Sequence, residues 1–348
     1  MPETNPSRYH RQTLLSEIGS DGQAKLAQSK IAIVGIGAIG CASADALTRA
    51  GVGQLVLIDR DIVELSNLQR QCLYTETDAD RGTPKAVAAK RRLSKVNSMI
   101  RIQPIVADLT PENAVSHLDR ADIIVDGTDN FETRYLLNDY AVRERTPMIC
   151  GGAIATRGTI MPTFPGIGPC LRCLHPEVPV VRETCDTVGV LGPIVQIVGA
   201  RQAALAMRVL IHGEGSIPIQ LEEFDAWTGQ ARSFDITTAK EPDCPCCVRR
   251  QFTFLDGVRG SKAIRLCGRG AVQVSPAHTS GIDLVALAQR MQSSGDVIAT
   301  DLFVRTRIQS HNEPGTIELT VFGDGRAIIK GTEDPAQARM IYARYIGS

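Results

Sequence analysis

Lys30-Ile31-Ala32-Ile33-Val34-Gly35-Ile36-Gly37-Ala38-Ile39-Gly40 decides the fold. Its first half is a short apolar run, and its second half is a glycine loop with G-x-G-x-x-G spacing. A buried strand that feeds directly into such a loop, and then into a helix, opens a doubly wound α/β sheet. Gly35 permits the tight turn, Gly37 lets backbone approach a phosphate, and Gly40 lets the helix pack on the strand. Backbone N–H groups at the new helix N-terminus, including that of Ala38, attract anions. The next stretch, residues 41–50, has helical composition and stops at Gly51, a plausible C-cap.

Working outward, residues 54–58 form a second apolar run ending at Asp59. A carboxylate there, about 20 residues past the loop, is placed to bind ribose hydroxyls. Further strands are expected at 100–106, 122–126 and 147–150, separated by helices at 84–95 and 133–144. This alternation predicts a Rossmann-like, mostly parallel sheet. Past residue 158 the pattern changes to an irregular extension, with strands at 159–164 and 219–227 and a long apolar helix over 190–210. Residues 249–348 read as a small α/β module, with strands at 263–266, 271–274, 302–308, 317–322 and 327–330 and helices at 282–292 and 335–345. Two domains follow, 1–248 and 249–348.

The 348 residues carry 38 basic and 38 acidic side chains, a balance that points to neither a nucleic-acid nor a membrane surface. No apolar run approaches the roughly 18 residues of a bilayer span. The opening MPETNPSRYHRQ lacks the apolar core of a signal peptide, so a cytoplasmic globular protein is expected. Ten cysteines are many for a reducing compartment. Their spacing, Cys170-x-x-Cys173 and Cys244-x-x-Cys247, suggests a metal site rather than a disulfide framework.

The glycine loop with Asp59 means a nucleotide, with NAD the commoner occupant. The next segment moves the reading away from NAD. Asp61, Ser66, Asn67 and Arg70 place polar and cationic groups just after the ribose carboxylate, and Lys85 follows at the start of a helix. Arg70 and Lys85 suit a triphosphate, whereas hydride transfer needs no such pair. Asp126-Gly127-Thr128-Asp129-Asn130 closes another strand, at the sheet end where ligands bind. Asp129 is placed there to hold Mg²⁺ near phosphates, with Asn130 beside it. Together these read as an ATP site that cleaves between the α and β phosphates.

With these motifs assembled, the sequence resembles the MoeB/ThiF/HesA family, bacterial relatives of ubiquitin-activating enzymes. The resemblance is carried by RYHRQ (8–12), GIGAIG (35–40), DRDIVELSNLQRQ (59–71), GTPK (82–85), DGTDN (126–130), PCLRC (169–173), TCDTVGVLGP (184–193) and CPCC (244–247). It implies ATP-dependent adenylation of the C-terminal glycine carboxylate of a ubiquitin-like sulfur-carrier protein with a Gly-Gly end. Pyrophosphate leaves, and a sulfur donor protein later converts the activated carboxylate to a thiocarboxylate.

By this resemblance Asp59 binds ribose, and Asn67, Arg70 and Lys85 contact phosphates. Asp129 binds metal, and Arg11 reaches the ATP site of the partner in a homodimer. Cys170, Cys173, Cys244 and Cys247 match a structural Zn²⁺ site, with Cys246 a competitor for Cys244. Cys185 matches a cysteine that attacks the adenylate or accepts sulfur in some relatives. Cys41, Cys72 and Cys150 read as buried small hydrophobes. Cys267-Gly268-Arg269-Gly270 is the one candidate for a rhodanese loop, and it lacks the closing arginine. The competing readings are an NAD-dependent oxidoreductase, opposed by Arg70, Lys85 and DGTDN, and a non-catalytic scaffold, opposed by the complete ATP set.

Overall fold

The computed structural model describes residues 6–177, 188–258, 263–266, 270–275, 281–292, 296–309 and 316–346. The chain divides into two compact units, residues 1–259 and 260–348. The division falls after residue 259 rather than near 249 because Phe252, Phe254 and Leu255 are buried in the core of the first unit.

In the first unit the helices are α1 (Pro6–Thr13), α2 (Gly19–Gln28), α3 (Ala38–Ala50), α4 (Glu76–Asp80), α5 (Lys85–Val96), α6 (Pro111–Leu118), α7 (Phe131–Glu144), α8 (Leu171–Leu174) and α9 (Gly192–His212). The strands are β1 (Lys30–Val34), β2 (Gln54–Ile58), β3 (Arg101–Ile105), β4 (Ile123–Asp126), β5 (Met148–Ile154), β6 (Arg157–Thr163), β7 (Gln220–Asp225) and β8 (Ala231–Asp235). They form one sheet in the order β3-β2-β1-β4-β5-β6-β7-β8. Neighbours are parallel from β3 to β5 and antiparallel from β5 to β8. The fold is therefore the expected Rossmann-like core, extended by an antiparallel ribbon. The sequence reading has no β8; all five of its residues are exposed, so no burial pattern marks it.

Two-residue periodicity sorts the strand side chains between two cores. Ile31 and Ile33 of β1 join the core covered by α3, α5 and α9, whereas Ala32 and Val34 join the one covered by α6 and α7. The strand order reverses between β1 and β4, and a ligand crevice opens at such a point beyond the carboxyl strand ends.

α9 spans 21 residues and is apolar enough, by length and composition, to cross a membrane, where the sequence reading had expected too short a run. Its placement gives it another use. Ile194, Val195, Val198, Ala203, Leu205 and Ala206 are buried in the core. A Cβ on Gly199 would stand 2.5 Å from the Cβ of Ala42, so α9 and α3 cross with almost nothing between them. One helical turn away, buried Gln202 donates to the carbonyls of Asp126 (2.8 Å) and Ile149 (2.9 Å), and its own carbonyl accepts from Ser43 Oγ (3.0 Å). This single amide joins α3, α9, β4 and β5.

The second unit is a six-stranded antiparallel sheet in the order β11-β12-β13-β14-β10-β9. Its strands are β9 (Ala263–Leu266), β10 (Ala271–Val274), β11 (Val297–Ala299), β12 (Phe303–Gln309), β13 (Thr316–Phe322) and β14 (Ala327–Lys330). Leu287 and Met291 of α10 (Leu284–Met291) and Ala338 and Tyr342 of α11 (Pro335–Tyr345) share one core with the sheet residues Val304, Leu319 and Ile329. The short edge strand β11 escaped the sequence reading. Cys267, Gly268 and Arg269 lie outside the described residues.

Replacing Gln202 by Leu removes its hydrogen bonds with two buried carbonyls and with Ser43 Oγ, each worth about 1 kcal/mol. Urea unfolding of Gln202→Leu is expected to show a loss of about 2–4 kcal/mol. A midpoint equal to that of the wild type would mean that the amide carries no stability.

Candidate nucleotide and metal sites

The glycine loop is shaped by backbone meeting backbone. Gly35 has φ +82°, and a Cβ there would lie 2.8 Å from the carbonyl carbon of Gly127. A Cβ on Gly40 would lie 1.9 Å from the Gly35 carbonyl oxygen. Gly37, immediately before α3, differs: a side chain there would meet nothing within 4 Å. The space over the first turn of α3, where the N–H groups of Ala38 and Ile39 have no intrahelical partner, is therefore open to an anion. That is the room a nucleotide phosphate needs.

Asp59 sits under the loop and is buried. Its Oδ2 accepts from Ile36 N and its Oδ1 from Asp61 N, both at 2.7 Å. The carboxylate thus pins the glycine loop, and each oxygen retains a lone pair for a ribose hydroxyl. Burial pushes the Asp59 carboxyl up; Lys85 opposes the rise and Asp61 adds to it. Residues 61–63 pair with 83–85: Val63 N donates to Thr83 O and Lys85 N to Asp61 O, each at 2.9 Å. That pairing sets Lys85 Nζ 3.0 Å from Asp61 Oδ2, with the lysine side chain only 3% exposed.

Asn67, also buried, accepts from Glu64 N at 3.1 Å and so caps its own short turn over Leu65–Asn67. Ser66 is exposed on that turn, and Arg70 Nη1 folds back onto the Ser66 carbonyl at 3.0 Å.

Across the crevice, Asn130 caps α7 by accepting from Thr133 N at 2.8 Å. The sequence reading expects Asn130 beside Asp129 near the phosphates; in the structure its carboxamide oxygen serves this cap. Asp129, one residue earlier, is exposed. Arg134, which the sequence reading overlooked, holds this loop. It donates to Asp126 Oδ2 (2.7 Å), the Thr128 carbonyl (2.8 Å) and the Gly151 carbonyl (2.7 Å). The available signal was an arginine at the start of the predicted 133–144 helix, eight residues past a strand-end aspartate. Arg60, between Asp59 and Asp61, was overlooked as well; its Nη1 lies 3.1 Å from Asp108 Oδ1.

Arg11 lies elsewhere. It is exposed on α1, which docks through Tyr9 against Gly51 and through Gln12 Nε2 onto the Ala50 carbonyl (3.0 Å). Both anchors are at the C-terminal end of α3, about 18 Å from the helix N-terminus that opens the crevice. Cys185 lies outside the described residues. Cys41 and Cys150 are buried as expected, but Cys72 is exposed, between buried Gln71 and the core residues Leu73 and Tyr74.

The sulfurs of Cys170, Cys173, Cys244 and Cys247 all lie within 4.8 Å of one another. Cys170 Sγ is 3.9 Å from Cys173 Sγ and 3.6 Å from Cys244 Sγ, and Cys173 Sγ is 3.5 Å from Cys247 Sγ. A tetrahedron with Zn–S bonds of about 2.3 Å has edges of about 3.8 Å. The four thiols therefore fit a zinc ion. Cys246 is not among these four; its sulfur accepts from Asn138 Nδ2 at 3.3 Å, while Asn138 Oδ1 accepts from Leu171 N at 2.8 Å. α7 thus braces the cysteine cluster.

The ThiF family profile matches residues 9–246. The sulfur carrier protein ThiS adenylyltransferase of Bacillus subtilis is 41% identical over 341 residues, covering 98% of this chain and 99% of that protein. The adenylyltransferase and sulfurtransferase MOCS3 of Anopheles gambiae is 40% identical over 243 residues, 69% of this chain but 54% of that longer protein. Among solved structures, Escherichia coli MccB with ATP superposes with a TM-score of 0.60 at 25% identity, covering 70% of this chain and 75% of that one. With a family match through both the nucleotide crevice and the cysteine cluster, and a relative aligned almost end to end, the chain belongs to the ThiF family.

Proposed function

We propose that the protein adenylates the C-terminal glycine carboxylate of a small ubiquitin-like sulfur-carrier protein with a Gly-Gly end, in the cytoplasm. One observation carries the reading: an open helix N-terminus, the Asp59–Asp61–Lys85 cluster and the Asp129 loop meet at a single sheet switch point. The activities for which the relatives are named agree with it. A carrier carboxylate oxygen attacks the α-phosphorus, the bond to the bridging oxygen breaks, and pyrophosphate departs. Negative charge accumulates on phosphate oxygens, so cations and backbone donors accelerate the step without a general base.

In this reading Asp59 orients the ribose, and Asn67, Arg70 and Lys85 line the phosphate path. Asp129 would hold Mg²⁺, a hard cation suited to a carboxylate and phosphate oxygens, which neutralises charge on the leaving group. Arg11, placed far from its own crevice, acts on the partner's nucleotide in a homodimer, where its planar fork clamps phosphate oxygens. Cys185 takes no part in adenylation and serves the later sulfur transfer from a donor protein. Zn²⁺ in the Cys₄ cluster is structural, since four thiolates leave no open position.

With Mg²⁺ and a carrier ending in Gly-Gly, the protein is expected to exchange labelled pyrophosphate into ATP. Asp129→Ala should lower that exchange by about a hundredfold or more with unchanged thermal unfolding, as befits an exposed side chain. Wild-type exchange by this variant would remove Asp129 from the mechanism. Mixing Arg11→Ala with Asp129→Ala subunits should restore one of the two sites in each mixed dimer; verified subunit exchange without recovered activity would refute action in trans. Elemental analysis should find about one zinc per chain. Cys170→Ser or Cys247→Ser should lose the metal and unfold at lower temperature, whereas Cys246→Ser should keep it. Metal loss confined to the Cys246 variant would reverse the ligand assignment.

A further inference from the structure

Asp126 is fully buried at the end of β4, and its Arg134 partner is 15% exposed. An ion pair taken so far out of water stabilises little unless its remaining hydrogen-bonding capacity is used. Here that capacity is spent on one loop. Thr128 donates to Asp126 Oδ1 through both N (2.9 Å) and Oγ1 (2.6 Å). Arg134 closes the loop from the other side through the Thr128 carbonyl and ties it to β5 through the Gly151 carbonyl. The guanidinium also lies 5.5 Å from the Phe131 ring centroid, which limits its movement. Asp129 follows directly from this pinned backbone, with its carboxylate exposed. The Asp129 charge acts on both Arg60 and Arg134.

We propose that Arg134 is a positioning residue: by fixing the Gly127–Thr128 backbone through Asp126, it sets the place from which Asp129 binds a divalent cation. This inference rests on the proposed metal role of Asp129. A planar fork with three hydrogen bonds in different directions is something lysine cannot reproduce, so Lys supports the loop in part and Gln less.

The test measures Mn²⁺ binding by electron paramagnetic resonance in the presence of a non-hydrolysable ATP analogue. Wild type, Arg134→Lys, Arg134→Gln and Asp129→Asn are compared, with thermal unfolding to select folded protein. Arg134→Gln is expected to weaken Mn²⁺ binding by about tenfold, with Arg134→Lys in between. In pyrophosphate exchange the same variants should need more Mg²⁺ for half-maximal rate, recover most of the rate at high Mg²⁺, and keep the wild-type KM for carrier. A folded Arg134→Gln protein with wild-type Mn²⁺ affinity overturns the proposal. So does a wild type that binds Mn²⁺ no better than Asp129→Asn, since Arg134 would then position nothing. A wild type that binds Mn²⁺ through Asp129 but exchanges no pyrophosphate sinks the adenylation reading and leaves the role of Arg134 to the Mn²⁺ series.

Discussion

The close approach of two backbone turns, Gly35–Gly40 after β1 and Gly127 after β4, is the constraint on which the site depends. A Cβ on Gly127 would sit 2.6 Å from the Gly35 carbonyl oxygen, and one on Gly35 would sit 3.0 Å from Thr128 N. The atoms met are backbone, so no rotamer change can make room. Because β1 and β4 are neighbours in the sheet, this contact sets the anion-binding end of α3 beside the loop that carries Asp129. Gln202 braces the same junction from below, which ties the geometry of the crevice to the core helix α9.

The charges around the crevice divide into those that build it and those left facing solvent. Asp59 and Asp126 are buried, and each is neutralised or hydrogen-bonded by groups that define a loop: Ile36 and Asp61 N–H for one, Thr128 and Arg134 for the other. Removing one partner of such a cluster leaves a buried charge uncompensated, which costs several kcal/mol. Asp129 and Ser66 are exposed, as the proposed contacts with a triphosphate and its metal require. Rigidity of the loops and access at the rim are thus supplied by different residues.

The cysteine cluster has a comparable bracing role on the other core. Its knuckles come from segments far apart in sequence, and Asn138 of α7 bonds both Leu171 N and Cys246. Asp139 beside it accepts from Phe254 N at 2.9 Å, drawing residues 252–255 into the same core. α7 therefore carries the Asp129 loop at its first turn and braces the cysteine cluster near its middle.

The strand–loop–helix pattern of residues 30–50 was enough to specify a doubly wound sheet, because a buried strand followed by G-x-G-x-x-G leaves few other folds. Local chemistry also made Gly51, the two C-x-x-C pairs and, apart from the short β11, the elements of residues 263–345 legible, since each depends on near neighbours. The exposed ribbon strand β8 left no periodic trace, and an apolar helix alone could not reveal that Gly199 lets α9 press against Ala42. Residue types likewise pointed to Asp59, Lys85 and Asp129, but not to what they touch. That Asp59 holds the glycine loop, that Lys85 pairs with Asp61, that Asn130 is a cap and that Arg134 secures the Asp129 loop were decided by tertiary structure. The reason is physical: a side chain's partner is set by which strand ends the sheet order brings together, and that order joins β4 to β1 across the 88 residues between them.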